Sequence, residues 1–182
     1  MTNFYISDTH FGHRNIIGYD QRPYFSVDEM DADLIARWNA VVKKNDAVYH
    51  LGDVSWLKPE QEAEIVKRLN GRKILVRGNH DYAEPAWFDE VYKGIHTIDD
   101  KGRRVVLSHF PIAAYKNMER GWFHLYGHVH TSFDDELFDD YRRRWELHKR
   151  KKMLSCNVGC MKPYMDYAPK TLDELIAIRG WA

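Results

Sequence analysis

Residues of the types that do acid–base or metal chemistry stand in five groups along the chain: Asp8 with His10, Asp53, Asn79 with His80, His109, and His128 with His130. Each group closes an apolar run. Imidazoles, carboxylates and one amide, with no cysteine among them, do not make the thiolate-rich set of a structural zinc site. Mixed nitrogen and oxygen donors suit divalent Mn, Fe, Zn, Co or Ni, with Mn the leading candidate. Seven donors (Asp8, His10, Asp53, Asn79, His109, His128 and His130) exceed the needs of one ion. Two ions sharing a carboxylate account for the number. Such a pair, about 3.5 to 4 Å apart, clamps the attacking and leaving oxygens of an in-line displacement at phosphorus.

The elements that must carry these groups follow from pattern. NFYISD, AVYHLGD and KILVRGNHD each read as a strand delivering polar groups at its end. Between the first two, SVDEMDADLIARWNAVVKK predicts a helix with Ser26 as N-cap, Glu29 three residues on, and Phe25 against Met30 as a hydrophobic staple. Glu60 to Leu69 predicts another helix, begun by Pro59 and ended near Asn70-Gly71. Strand, helix, strand, helix, strand is α/β logic, and ligands in such sheets gather beyond the carboxyl ends of the strands. RRVVLSHF, WFHLYGHVH and MLSCNVG follow with no long helix read between them, so the second half is expected to add mainly antiparallel strands. A closing helix runs from the capping box of Thr171 and Glu174 to Gly180. Strand alternation would turn His128 and His130, and likewise Asp8 and His10, to one side. Gly52, Gly78 and Gly127 each precede a candidate ligand, where a small residue allows a sharp turn or close approach.

The chain of 182 residues, 44% apolar and 14% aromatic, is expected to form a single domain over 1–182, with loop insertions near 111–121 and 131–152. Lys plus Arg equal Asp plus Glu at 27 each, so net charge selects neither nucleic acid nor a membrane. With no signal segment and no long apolar stretch, the expected location is the cytoplasm. Cys156 and Cys160 are the only cysteines and are read as reduced structural thiols. In 131–152, acidic residues from Asp134 to Asp140 precede Arg142, Arg143, Arg144 and Lys149 to Lys152. That segment reads either as a solvated hairpin or helix whose charges pair, or as a basic edge for a phosphate backbone aided by Tyr141 and Trp145.

DTH at 8–10, GD at 52–53, GNHD at 78–81, His109 and GHVH at 127–130 resemble, in order, type and spacing, the five blocks of the calcineurin-like metallophosphoesterases. The tail NVGC, DYAP and TLDEL resembles small bacterial and phage members. The resemblance implies a four-layer α/β sandwich, two mixed β-sheets packed face to face and flanked by helices. It also implies two divalent transition-metal ions: Asp8, His10, Asp53 and His130 on one, Asp53, Asn79, His109 and His128 on the other. Attack by a metal-bound hydroxide on a phosphodiester or phosphomonoester, with His80 protonating the leaving oxygen, is the implied reaction. Asp81 either orients His80 or ties its loop down.

Around this set, His13, Arg14 and Arg77 are candidate phosphate contacts, with surface or structural positions as the alternative. His50 reads as a core residue or a support for the ligands, and His96, His124 and His148 as structural or surface residues. Trp56 and Trp122 could line the cleft. The expected partner is a phosphate-ester substrate, with nucleotide or nucleic acid possible, no membrane and no obligate protein partner. A nuclease or nucleotide phosphodiesterase is the main alternative, and a non-catalytic scaffold of the same fold is a further one.

Overall fold

The computed structural model describes residues 1–82 and 85–181. Its first sheet has the order β4-β3-β2-β1-β9, from Glu90–Tyr92, Arg72–Val76, Ala47–His50, Asn3–Ile6 and Lys170–Thr171. All neighbours are parallel except β9, which runs antiparallel to β1. The second sheet has the order β5-β6-β7-β8, from His96–Asp100, Arg103–Leu107, Phe123–Tyr126 and Ser155–Asn157. One core cluster contains Phe4, Ile6, Val48 and Leu75 of the first sheet and Val105, Leu107, Leu125 and Cys156 of the second. The fold is therefore α/β, two mixed sheets flanked by helices, as expected. At the edge of this core Tyr5, fully buried, donates its hydroxyl to Asp100 of β5 (2.8 Å), a cross-sheet tie between elements far apart in sequence.

The flanking helices are α1 (Arg14–Tyr19), α2 (Val27–Val41), α3 (Pro59–Arg68), α4 (Phe133–Lys149) and α5 (Leu172–Arg179). Ser26 caps α2 by accepting from the Glu29 amide, and Thr171 with Glu174 forms the capping box of α5, which ends at Gly180 in the left-handed region. The expected staple does not form. Phe25 is wholly exposed while Met30 is buried, because Met30 packs into the core beside the Arg22 guanidinium instead.

The second sheet corrects the expectation of mainly antiparallel strands. Only β5 and β6 pair antiparallel, while β6 with β7 and β7 with β8 are parallel. Parallel neighbours need a crossover of a dozen or more residues, and the two segments read as loop insertions supply them. Residues 108–122 carry one crossover, and 127–154, containing α4, the other. The opposite charges of α4 pair along the helix: Arg142 with Asp139 (3.1 Å) and Glu146 (3.2 Å), and Arg144 with Asp140 (2.7 Å). Tyr141 donates to the Ala113 carbonyl, and Trp145 packs with Trp122 on the cluster of Val106, Tyr115 and Met153. Trp122 and Trp145 are thus packing residues of this small cluster. Among the described residues no helix is long and apolar enough to cross a membrane.

Candidate metal centre

All five groups lie just past the carboxyl ends of strands: Asp8 and His10 after β1, Asp53 after β2, Asn79 and His80 after β3, His109 after β6, His128 and His130 after β7. The strands stop short of them. Asp8, His10, Asp53, His128 and His130 all adopt left-handed backbone (φ 57°, 51°, 57°, 70° and 45°), so turn geometry and not strand alternation aims each pair. Such conformations cost on the order of 1–3 kcal/mol each and persist where the surroundings impose them, most often at functional sites. Gly78 and Gly127 are needed for close approach. A Cβ on Gly78 would strike the Asp53 carboxylate, and one on Gly127 the Asp8 carboxylate and Ser7 hydroxyl.

Two groups of side chains converge, each with donor atoms within 4.8 Å of one another: Asp8, His10 and His130, and Asp53, His109 and His128. In the first, His10 Nε2 lies 3.3 Å from His130 Nε2, which is 3.6 Å from Asp8 Oδ1. In the second, His109 Nε2 lies 3.2 Å from His128 Nδ1, 3.5 Å from Asp53 Oδ2 and 3.0 Å from Asn79 Oδ1. Asp53 Oδ2 is also 3.8 Å from His10 Nε2, so one carboxylate oxygen faces both groups.

Supporting hydrogen bonds set the orientation of these side chains. His109 Nδ1 donates to the Leu51 carbonyl (2.7 Å) and His130 Nδ1 to Asp20 Oδ1 (2.8 Å), which leaves the Nε2 lone pair of each neutral ring turned inward. Asp8 accepts from the Ser7 hydroxyl (2.6 Å) and the His128 amide (3.1 Å), and Asp53 from the His80 amide (3.1 Å). His109 Nε2, Asp53 Oδ2 and Asn79 Oδ1 are then three acceptors facing one another. His10 Nδ1 is buried without a hydrogen-bond partner. A donor set of this kind fits a cation.

The titration behaviour shows the same demand for positive charge. Burial pulls His109 down, but the hydrogen bond to Asp53 and the charges of Asp8 and Asp53 outweigh it and raise the ring to about 9. Burial also opposes His130, which the Asp20 bond and the charges of Asp8 and Asp20 nevertheless raise. Asp53, despite its burial, is held below the usual carboxylate range by the hydrogen bond and charge of His109. His10, desolvated and beside His130, falls to about 2 and stays neutral. The carboxylates that raise these two imidazoles would equally favour a divalent cation between them.

Residues 1–173 match the calcineurin-like phosphoesterase superfamily domain. The chain belongs to the calcineurin-like phosphoesterase superfamily. It is 34% identical to an uncharacterized protein of Methanocaldococcus jannaschii, over 96% of this chain and 89% of that one. It is 28% identical to the gene 66 protein of Mycobacterium phage L5, over 72% and 79% of the two chains. A crystal structure of an Aquifex aeolicus protein of unknown function superposes with a TM-score of 0.74 at 29% identity, covering 97% of this chain and 98% of that one.

The other candidates of this superfamily member divide by position. Asp81 fastens the GNHD turn: its Oδ2 accepts from the Gly78 (2.7 Å) and Asp53 (2.9 Å) amides and its Oδ1 from the Val54 amide (2.9 Å). His50, buried, accepts from the Gly52 amide at Nδ1 and donates from Nε2 to Thr9 Oγ1, which donates in turn to the Val54 carbonyl. That chain locks the Asp8 and Asp53 loops together. His80 is exposed at the rim, its ring 4.6 Å from that of Trp56, and Trp56 stacks on His13 at 4.6 Å. Arg14 is exposed and lines a separate surface cleft with Ile17, Phe25 and the start of α2. Arg77 lines a cavity that begins at Asn79 and His109. Cys156 and Cys160 are buried free thiols, pushed up by burial to about 11 and 12. His124 is buried between the Ser108 and Ser155 hydroxyls.

Asp20 and Arg22 were not anticipated. Asp20 holds His130 and pairs with Arg22 (2.9 Å), whose buried guanidinium donates to the Asp8 (2.9 Å) and Thr9 (2.8 Å) carbonyls. Nothing in the spacing of YDQRP marks either residue. Only the folding of that turn over the end of β1 buries them.

Proposed function

We propose that the protein is a dinuclear metal-dependent phosphoesterase that hydrolyses phosphodiesters or phosphomonoesters. The observation that carries the reading is Asp53 Oδ2, 3.5 Å from His109 Nε2 and 3.8 Å from His10 Nε2, an oxygen shared by two ligand groups. One ion would be held by Asp8, His10, Asp53 and His130, the other by Asp53, Asn79, His109 and His128. Such ions, when bound, supply Lewis acidity at the phosphoryl oxygens and acidify a water molecule. The protein's own groups do the rest. The His109–Leu51 and His130–Asp20 bonds hold lone pairs inward, and the Gly127 approach brings the His128 amide onto Asp8.

His80 would carry the proton for the leaving oxygen. Its amide is anchored to Asp53 and its turn to Asp81, which leaves the exposed ring free to meet substrate at the rim. Arg142 and Arg144 are already engaged by Asp139, Asp140 and Glu146, which weakens the reading of that part of α4 as a basic edge for a nucleic-acid backbone. Purified protein with added Mn²⁺ should hydrolyse bis-p-nitrophenyl phosphate or p-nitrophenyl phosphate. No turnover of either with Mn, Fe, Zn, Co or Ni would overturn the proposal. Substituting His80→Ala should slow alkyl esters about 10²–10⁴-fold and nitrophenyl esters far less, since only the alkoxide needs a proton. Equal losses would leave His80 as a phosphate hydrogen-bond donor.

A further inference from the structure

Beside the second ligand group lies a cavity of about 440 Å³ with Asn79 and His109 at its inner edge. Two features of its wall are not used by the metal centre. Arg77 and Lys93 line it, and neither forms an ion pair among the described residues; Arg77 Nε is buried without a hydrogen-bond partner. Ile95, Phe110 and Ile112 line it as well. Ile95 is 63% and Phe110 50% exposed, which leaves apolar surface facing the opening. Phe110 rests on the His128 ring (4.3 Å between centroids) and so joins the cavity to the ion site. His80, Trp56 and His13 lie elsewhere on the rim, with the His80 ring 6.3 Å from that of His10 in the first ligand group.

A phosphodiester has two substituents, and only one departs. His80 does not line this cavity, so with the leaving group beside His80 the retained group can extend past Asn79 and His109 into it. Two cations and apolar side chains in one cavity suit a group that joins a second anion to an apolar or aromatic body. A retained methyl group would use neither. Arg77 lines the cavity without an ion-pair partner among the described residues, so its guanidinium can meet a phosphate oxygen with charge assistance.

We infer that this cavity is the subsite for the retained half of a phosphodiester, and that it selects a phosphate-bearing nucleoside or aryl group. Arg77 and Lys93 receive the second phosphate, while Ile95, Phe110 and Ile112 cover the ring. This specificity rests on the phosphoesterase reading above.

Three diesters with the same p-nitrophenolate leaving group separate the parts: methyl p-nitrophenyl phosphate, the p-nitrophenyl ester of thymidine 5′-phosphate, and the same ester carrying a 3′-phosphate. With the Mn²⁺-loaded protein, kcat/KM should rise in that order. Lys93→Gln should reduce the ratio of the 3′-phosphorylated ester to the methyl ester about tenfold, mainly through KM. Ile95→Ser, at an exposed position that does not threaten folding, should reduce the ratio of both thymidine esters to the methyl ester. Independently of turnover, calorimetric binding of thymidine 3′,5′-bisphosphate to metal-free protein should weaken about tenfold in Lys93→Gln and in Arg77→Gln. Turnover with flat ratios and unaltered binding would overturn the subsite and leave the phosphoesterase reading standing. Binding that weakens as expected, with no turnover of any ester, would overturn the enzyme reading and keep the subsite.

Discussion

Asp20→Asn tests whether a side chain two bonds removed from the metal centre controls one ion and spares the other. Asp20 Oδ1 accepts from His130 Nδ1 at 2.8 Å, and its Oδ2 accepts from Arg22 Nε at 3.0 Å and Nη2 at 2.9 Å. The pair is dry, with side-chain exposure of 5% for Asp20 and 0% for Arg22. Asparagine keeps the shape but supplies one acceptor and one donor. With its oxygen toward His130, its NH₂ group opposes the guanidinium; turned over, it opposes the imidazole N–H. Either way a charge-assisted bond worth about 1.5–3 kcal/mol is lost, and Arg22 keeps only its carbonyl partners. For a chain of this size, a loss of about 2 kcal/mol lowers Tm by about 4–8 °C. Loss of the group that orients a metal-binding imidazole costs about 10–100-fold in affinity. The ion proposed on Asp8, His10 and His130 should therefore weaken by that factor, while the one proposed on Asp53, His109 and His128 keeps its affinity. Mn²⁺ titration calorimetry, with elemental analysis after dialysis, reads the two sites, and retained Mn should fall from two equivalents towards one. Equal weakening of both ions, or a lowered Tm with both affinities intact, would refute the reasoning.

Two other perturbations address the scaffold. Asp31 accepts from the Gly12 amide with both oxygens (3.1 Å), and burial raises it to about 6. Its folded value lies above the unfolded one, so the native state binds the extra proton between about pH 4 and 6 and this group's contribution to stability falls as pH rises through that window. Asp31→Asn should remove that loss, worth about 1–2 kcal/mol at pH 7 after solvent screening, and flatten urea-derived stability between pH 4 and 7. Unchanged pH dependence would show that another group sets it. Gly127→Ala should drive a methyl group against Ser7 and Asp8, lower stability by about 1–3 kcal/mol and abolish tight binding of the ion on Asp8. Thermal melts with and without Mn²⁺ measure both effects, and a variant that keeps the wild-type metal-induced rise in Tm would contradict them.

Much of the scaffold is legible in the chain because local rules govern it. Ser26 and Glu29, Pro59, and Thr171 with Glu174 and Gly180 mark helix ends through capping chemistry that needs no tertiary partner. The apolar runs ending in Asp8, Asp53, Asn79, His109 and His128 place each candidate ligand after a strand. Periodicity alone misjudged three things. The 131–152 segment looked like an insertion because its charges dominate, yet as α4 it is the crossover that lets β7 and β8 run parallel. Phe25 was matched to Met30 by spacing, but the core beside Arg22 claimed Met30. The i, i+2 histidines suggested strand alternation, whereas left-handed turns aim them.

The types, order and spacing of the candidate ligand residues, and with them membership of the family, were determined by the sequence by itself, because donor chemistry is a property of the residue and survives without coordinates. Which atoms converge was decided only by the tertiary structure. Asp53 Oδ2 comes to face both His10 and His109, Asp81 is fixed on the Gly78, Asp53 and Val54 amides, and Asp20 is buried against His130, 110 positions away in the chain. Charge and hydrogen-bonding capacity are written residue by residue. Desolvation and direction arise when segments far apart in the chain pack together, and here they separate a turn aspartate on the surface from one that holds a candidate metal-binding imidazole.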